Sequence, residues 1–343
     1  MKQYQNTLYV TTDGAYLAHE GESILVKVGG EVRFRVPVHT LGGIICFGGV
    51  GCSPSAMNLC AERSVTIAFL TGQGRFLARV QGPISGNVLL RREQYRRADD
   101  MAASAAIART IVAAKIANSR TVLLRAARDH SESPGADPIA RAAHRLEDNL
   151  DRLKADLPLD AVRRVEGDAS RLYFGVFDHL ITTQKDAFFF RERSRRPPLD
   201  NMNALLSFLY AILANDAASA LEAVGLDPAV GFLHRDRPGR PGLALDLMEE
   251  FRAFLADRVA LSLVNLRQVA AAGFRRTEAG GVEMDDATRK EVLVAYQKRK
   301  QEEITHPFLG ERTTVGLLVH LQAMLLARYL RGDMDGYPPF IWK

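Results

Sequence analysis

The chain has 343 residues, 47% hydrophobic and 25% charged, a balance that excludes disordered, fibrous and disulfide-scaffold classes and fits a globular protein. At roughly 100–200 residues per domain, this length predicts two domains. A net charge of +5 suits a polyanionic partner without requiring one.

The N-terminal stretch MKQYQNTLYV carries no apolar signal core. The apolar runs fall short of the ~20 residues that cross a bilayer, so a cytoplasmic protein with no membrane association is expected. Residues 1–85 read as β structure. Short runs rich in Val, Ile, Tyr and Phe are cut by glycine turns, with Asp13-Gly14 and Gly29-Gly30 placed as hairpins. SVTIAFLTGQGRFLARVQG continues as strands around a Gly-rich turn, and SPSAMNLCAERS holds a helix capped by Ser53 or Ser55. Cys46, Cys52 and Cys60 are odd in number and irregular in spacing, which fits buried thiols better than disulfides or zinc.

From about Gln94 the texture changes. Apolar residues recur at three- and four-residue spacing and glycine becomes scarce. One long amphipathic helix is predicted over 94–128, then helices near 138–154, 159–184, 200–224, 243–261, 285–303 and 313–331. The breakers are SPGADP, RRPPLD, the Arg235–Gly242 loop, AGG and THPF. The predicted class is α+β by segregation: a small N-terminal β domain (1–85) and a larger all-α domain (86–343). Nucleotide-binding glycine loops, a nucleophile elbow and paired CxxC motifs are all missing, which weakens dehydrogenase, NTPase, hydrolase and redox readings.

The segment GFLHRDRPGRPGLALDLMEEFR (231–252) holds the candidate chemistry. Its prolines and glycines place His234 in a loop before the next helix. Within that helix Leu243, Leu247 and Phe251 form a core stripe, while Asp246 and Glu249 share a face. Spacing alone does not choose Glu249 over Glu250. An imidazole with carboxylates suits Mg²⁺ or Mn²⁺ better than structural zinc. Early-helix acids complementing the helix dipole are the competing explanation. A third donor could come from Glu166, which heads a stripe with Ala169 and Tyr173; the adjacent Gly167 would let another backbone or a phosphate approach. His306 is read as fixing a turn and His320 as a core histidine.

Basic residues come in blocks: nine between Arg91 and Arg128, then RERSRR, RDRPGR and QKRKQ. Two of the blocks border the candidate site, which favours phosphate contacts over base reading. Arg163, Arg237 and Arg240 are the expected DNA-contacting arginines nearest it.

Glu166 with its downstream YF, NALLSFLYAILANDA, H…LALDLMEEFR, KRKQEEITHPFLGE and the tail YLRGDMDGYPPFIWK together resemble the CRISPR-associated integrase, the catalytic subunit of the spacer-acquisition complex, and most nearly its subtype I-C form. The resemblance spans nearly the whole chain. It implies a metal-dependent endonuclease and integrase that inserts foreign DNA into a CRISPR array by 3′-OH transesterification. It further implies a triad at Glu166, His234 and Glu249 holding Mg²⁺ or Mn²⁺, with Asp246 adjacent, and a DNA-contacting role for Arg252. Its implied partners are the incoming double-stranded DNA and the CRISPR repeat, a second copy forming a homodimer, a small ferredoxin-like subunit bridging two dimers, and an iron–sulfur trimming nuclease.

Overall fold

A computed structural model describes residues 6–80, 82 and 88–342, so the expected domain boundary at 85/86 lies outside the described residues. The N-terminal region runs β1 (Asn6–Val10), β2 (Tyr16–Glu20), β3 (Ser23–Val28), β4 (Glu31–Pro37), β5 (Leu41–Phe47), β6 (Gly51–Cys52), α1 (Pro54–Glu62), β7 (Thr66–Leu70) and β8 (Phe76–Val80). One sheet has the order β1-β5-β7-β8, its first three strands parallel; the other has the order β4-β3-β2-β6. Gly29 and Gly30, both at positive φ, join the antiparallel pair β3/β4 as predicted. Asp13-Gly14 is not a hairpin. It carries the chain from one sheet to the other, because β1 pairs in parallel with β5 while β2 pairs with β3 and β6. The Asp13 carboxylate fixes this crossing by accepting a hydrogen bond from Gly49 N at 2.8 Å.

The run GIICF in β5 is apolar on both faces because both faces are covered. Ile44 and Cys46 join a core with Leu17, Ile24 and α1. Ile45 and Phe47 face the opposite way into the helical core, where the Phe47 ring packs on Phe208, centroids 5.7 Å apart. Ser53 is the α1 N-cap, accepting from Ala56 N at 3.1 Å. All three cysteines are free, and burial pushes the Cys46 and Cys60 thiols up to about 12 and Cys52 to about 11.

The C-terminal region carries α2 (Val88–Asp99), α3 (Met101–Asp129), α4 (Ala136–Arg152), α5 (Leu159–Gly175), α6 (Asn201–Ala223), α7 (Gly242–Glu249), α8 (Arg258–Asn265), α9 (Asp286–Gln301) and α10 (Val315–Leu330). Three expectations change. The single helix over 94–128 is two, because the Asp100 side chain caps α3 by accepting from Ala102 N and Ala103 N. The helix expected over 159–184 ends at Gly175; a 3₁₀ turn (Phe177–Leu180) follows, and Asp178 turns its carboxylate to Phe190 N at 2.7 Å. The helix expected over 243–261 is α7 and α8 joined by a π-helical turn, Arg252–Asp257. Nor is this region all-α, since two short ribbons lie within it: β9 (Phe274–Arg276) with β10 (Val282–Met284), and β11 (Glu303–Thr305) with β12 (Arg312–Thr314). By length and composition α6 could span a bilayer, contrary to the reading of short apolar runs; 67% of its most apolar window is buried inside the protein.

Candidate active site

The loop before α7 is built around one carboxylate. Asp246, fully buried, accepts hydrogen bonds from the backbone N–H of Phe232 (2.6 Å), Leu233 (2.9 Å) and His234 (3.0 Å). Its Oδ1 also lies 2.6 Å from His234 Nδ1, which leaves Nε2 of the imidazole facing the site. In this arrangement Asp246 sets the ring's orientation, as the outer carboxylate of a carboxylate–histidine pair does. Close contact requires glycine: a Cβ at Gly231 would stand 2.6 Å from the Gly242 carbonyl carbon and 2.8 Å from Asp246 Oδ2.

Glu166, His234 and Glu249 come together. His234 Nε2 is 4.0 Å from Glu249 Oε1, and the Lys115 ammonium bridges the two acids, pairing with Glu166 and standing 2.9 Å from Glu249 Oε2. Ser170, one turn along α5, donates to Glu166 at 2.9 Å. Arg252 closes the group at 3.1 Å from Glu249 Oε1. Burial alone would raise the Glu249 carboxyl, but the Arg252 guanidinium, the Lys115 ammonium and the His234 ring hold it down at about 2. The acid is therefore an anion across the whole neutral range, the form that can bind a cation or a protonated donor.

The structure also separates the two acids that spacing could not. Glu250 points the other way, accepting from Tyr337 Oη (2.6 Å), Phe340 N (2.7 Å) and Gln322 Nε2 (3.0 Å). It anchors the C-terminal tail and takes no part in the cluster. Burial pushes its carboxyl up to about 7 against the pull of those donors.

Among the described residues, no three His, Cys, Asp or Glu side chains are set to hold one metal ion. The donor types fit a hard divalent ion even so: two carboxylates converge on the Lys115 ammonium, and the His234 imidazole nitrogen lies 4.0 Å from one of them, Glu249. Glu249 Oε2 is buried, and its close contact is the ion pair with the Lys115 ammonium at 2.9 Å. An oxygen in that position is one a metal could take. A Cβ at Gly167, beside Glu166, would meet nothing within 4 Å, so among the described residues no other element packs against it there.

Beyond His234 several arginines gather, two of them, Arg163 and Arg235, sharing the Asp160 carboxylate. Partial burial and the nearby Arg237, Arg195 and Arg163 hold the Arg240 guanidinium below its usual value, which places these side chains in one electrostatic neighbourhood. Arg163 donates to Leu233 O at 2.8 Å, tying α5 to the His234 loop. By contrast, much of the first basic block is paired within the molecule. Arg91 donates to Gly225 O, Arg109 to Ala155 O and Asp156, and Arg120 to Glu147. His306 fixes its turn, Nδ1 accepting from Phe308 N and Leu309 N, and its Nε2 is 3.0 Å from Gln322. His320 is half-buried on α10.

Lys115 is the residue that the sequence reading did not separate out. It was one cation among nine, yet it lies at i+3 and i+4 from Val112 and Ile111 within the buried stripe of α3. A lysine in register with an apolar stripe is the signal that finds it. Asp257 is a second such residue. Buried in the π-helical turn, it accepts from Tyr210 (2.6 Å) and Tyr173 (3.0 Å), and burial pushes it up to about 6 against those bonds and the nearby Arg252 and Arg193.

The family described as CRISPR associated protein Cas1 matches residues 8–298. "CRISPR-associated endonuclease Cas1 1" of Chlorobaculum tepidum is 52% identical, and "CRISPR-associated endonuclease Cas1 2" of Rhodospirillum rubrum 51%, each over 100% of both chains. A "CRISPR-associated exonuclease Cas4/endonuclease Cas1 fusion" of Geobacter sulfurreducens is 35% identical over 98% of this chain and 60% of its own. Among solved structures, a casposase bound to integration product superposes with a TM-score of 0.83 at 22% identity, covering 99% of this chain and 95% of that one. A Cas6-RT-Cas1–Cas2 complex gives 0.81 at 22% identity over 99% of this chain and 36% of that one. At that identity the superpositions speak for the fold alone. With the profile match and two full-length relatives above half identity, the chain belongs to the Cas1 family of CRISPR-associated proteins.

Proposed function

We propose that this chain is a metal-dependent DNA endonuclease and integrase that inserts foreign DNA fragments into a CRISPR array by 3′-OH transesterification, and that its nearest subtype is I-C. The observation that carries the reading is the clustering of Glu166, His234 and Glu249, from two helices and a loop: both carboxylates meet the buried Lys115 ammonium, and His234 Nε2 lies 4.0 Å from Glu249. Relatives named Cas1 endonucleases and the casposase fold likeness support it.

In this reading Glu166, His234 and Glu249 hold Mg²⁺ or Mn²⁺, which when bound supplies Lewis-acid stabilisation of charge on the phosphoryl oxygens. Asp246 fixes the imidazole so that Nε2 faces the centre. Arg252 keeps Glu249 ionised. The arginines at 163, 237 and 240 seat the phosphodiester backbone beside it. The incoming 3′-OH attacks phosphorus in line, one P–O bond forms and one breaks, and the repeat's 3′-OH leaves with the proton. The number of phosphodiesters is unchanged, so no nucleotide triphosphate is needed and positioning governs the rate. Water in place of the 3′-OH gives endonucleolytic cleavage.

The same reading assigns a cytoplasmic site of action, a homodimer, a small ferredoxin-like subunit bridging two dimers, and an iron–sulfur trimming nuclease. A Cas2-containing complex and the Cas4 fusion among the similar proteins support assembly with further proteins. Exposed Tyr16, Val32 and Phe34 on one sheet offer an apolar face for a second copy. The test is strand transfer of a 3′-OH duplex into a supercoiled plasmid carrying the repeat, with DNA affinity measured alongside. Alanine at Glu166, His234 or Glu249 is expected to lower joining by about 100-fold or more while affinity changes by no more than about threefold. Joining that survives any one of these changes refutes the site; nicking without joining refutes the integrase and leaves a nuclease.

A further inference from the structure

Lys115 is an unusual neighbour for a metal-binding cluster. Its side chain is 10% exposed and pairs with both candidate carboxylate ligands at once. A buried ammonium normally needs such compensation, and the buried Glu249 with the half-buried Glu166 needs a cation as much as it needs them. The Lys115 pairing and a divalent ion make the same demand on Glu166 and Glu249. An oxygen held by the ammonium is not fully available to a metal. Glu249 keeps a second partner in Arg252, but Glu166 has only the Ser170 hydroxyl besides Lys115 among its bonded contacts described. Lys115, Ser170, Tyr173, Tyr210, Arg252 and Asp257 together line part of a small cavity beside the cluster.

Resting on the metal site proposed above, we infer that Lys115 is a built-in competitor for that site: its ammonium occupies the cation position between Glu166 and Glu249, and a divalent ion binds by displacing it. Affinity for the ion is then set by an exchange of one cation for another and not by free donors. Lys115 is a positioning residue in this account. It keeps the two acids gathered and, together with Arg252, near neutral in sum, and it lowers the affinity for the metal it makes room for.

The experiment is calorimetric titration of the purified full-length protein with MnCl₂, with no DNA and no turnover. Lys115→Met removes the competitor and is expected to bind Mn²⁺ about tenfold tighter than wild type, a difference of about 1.4 kcal/mol. Its thermal midpoint without metal is expected to fall below that of wild type and to rise more on adding Mn²⁺. Should that variant fail to fold, Lys115→Arg keeps the charge and offers a fork to both carboxylates, so it is expected to bind Mn²⁺ more weakly than wild type, by about tenfold. Equal affinities in wild type and the variants, or weaker binding by Lys115→Met, overturn the inference. His234→Ala separates the two readings. If it abolishes Mn²⁺ binding while Lys115→Met changes nothing, only the competitor role fails. If Mn²⁺ binding is absent from wild type, or is indifferent to His234, both readings fail.

Discussion

Asp246 shows how much of the site depends on one side chain. Its two oxygens accept three backbone N–H groups and face the His234 ring, all within 3.0 Å. In Asp246→Asn the carboxamide NH₂ would point a donor at donors, and the loop would lose its anchor. Charge-assisted hydrogen bonds of this kind predict a loss of about 2–4 kcal/mol in urea unfolding, together with loss of joining activity. A variant as stable as wild type would show that the loop is held by something else. Glu249, His234 and Glu166 stood out as candidates because carboxylates on a helix face, a loop histidine before it and a glutamate heading a core-like stripe form a pattern in the chain, and the family resemblance chose this set over Glu250. Lys115 was not, since a count of basic residues does not distinguish a buried ammonium from a solvated one. The choice of Glu249 over Glu250 needed the tail as well, because only Tyr337 and Phe340, far along the chain, show where Glu250 points.

At the scale of elements, periodicity found nearly every helix and misjudged where they break. Asp100 ends α2 and caps α3 through a side chain that a periodicity argument does not weigh. Asp100→Ala is expected to cost about 1 kcal/mol, read as a lower denaturant midpoint with unchanged slope. The π-helical turn between α7 and α8 was invisible for a different reason: its side chains meet partners far along the chain, Asp257 accepting from two tyrosines and Arg252 lying over the Tyr210 ring. Asp257 carries a pH signature. Its folded-state carboxyl is raised from 3.8 to about 6, so the folded protein holds the proton more tightly than the unfolded chain. The stability it contributes is present in full below about 3.8 and is lost as pH rises through about 6. Between pH 4 and pH 7, Asp257→Asn should therefore show a flatter fall in unfolding free energy than wild type, whatever its absolute stability; parallel pH curves would contradict the assignment. Short ribbons such as β9/β10 and β11/β12 escape sequence reading because three-residue strands are too brief to show alternation.

For the whole molecule, the α+β order was readable from the switch in apolar spacing near Gln94, but not the way the sheets are shared. β5 belongs to two cores at once, so the strands and helices meet across Phe47 and Phe208, and again where Arg79 pairs with Glu222 at 2.7 Å. Gly231 links packing to function at this scale, since an added methyl must push the His234 loop away from α7. Gly231→Ala should lower joining by about tenfold or more, because loss of positioning at the reacting centre is costly; unchanged activity would show that the loop adapts. The arginines around His234 predict a salt-dependent grip on DNA. Each phosphate contact contributes close to 0.9 to the slope of log affinity against log salt, so removing Arg237 and Arg240 together should reduce the slope by about two. An unchanged slope would place the DNA elsewhere. The most direct test of the central claim is a crystal of the full chain soaked in MnCl₂ and measured at the manganese absorption edge. The account predicts a single strong anomalous peak bonded to His234 Nε2 and to carboxylate oxygens of Glu166 and Glu249, at about 2.0–2.3 Å. A peak held by other residues, or no peak at this cluster, would contradict it.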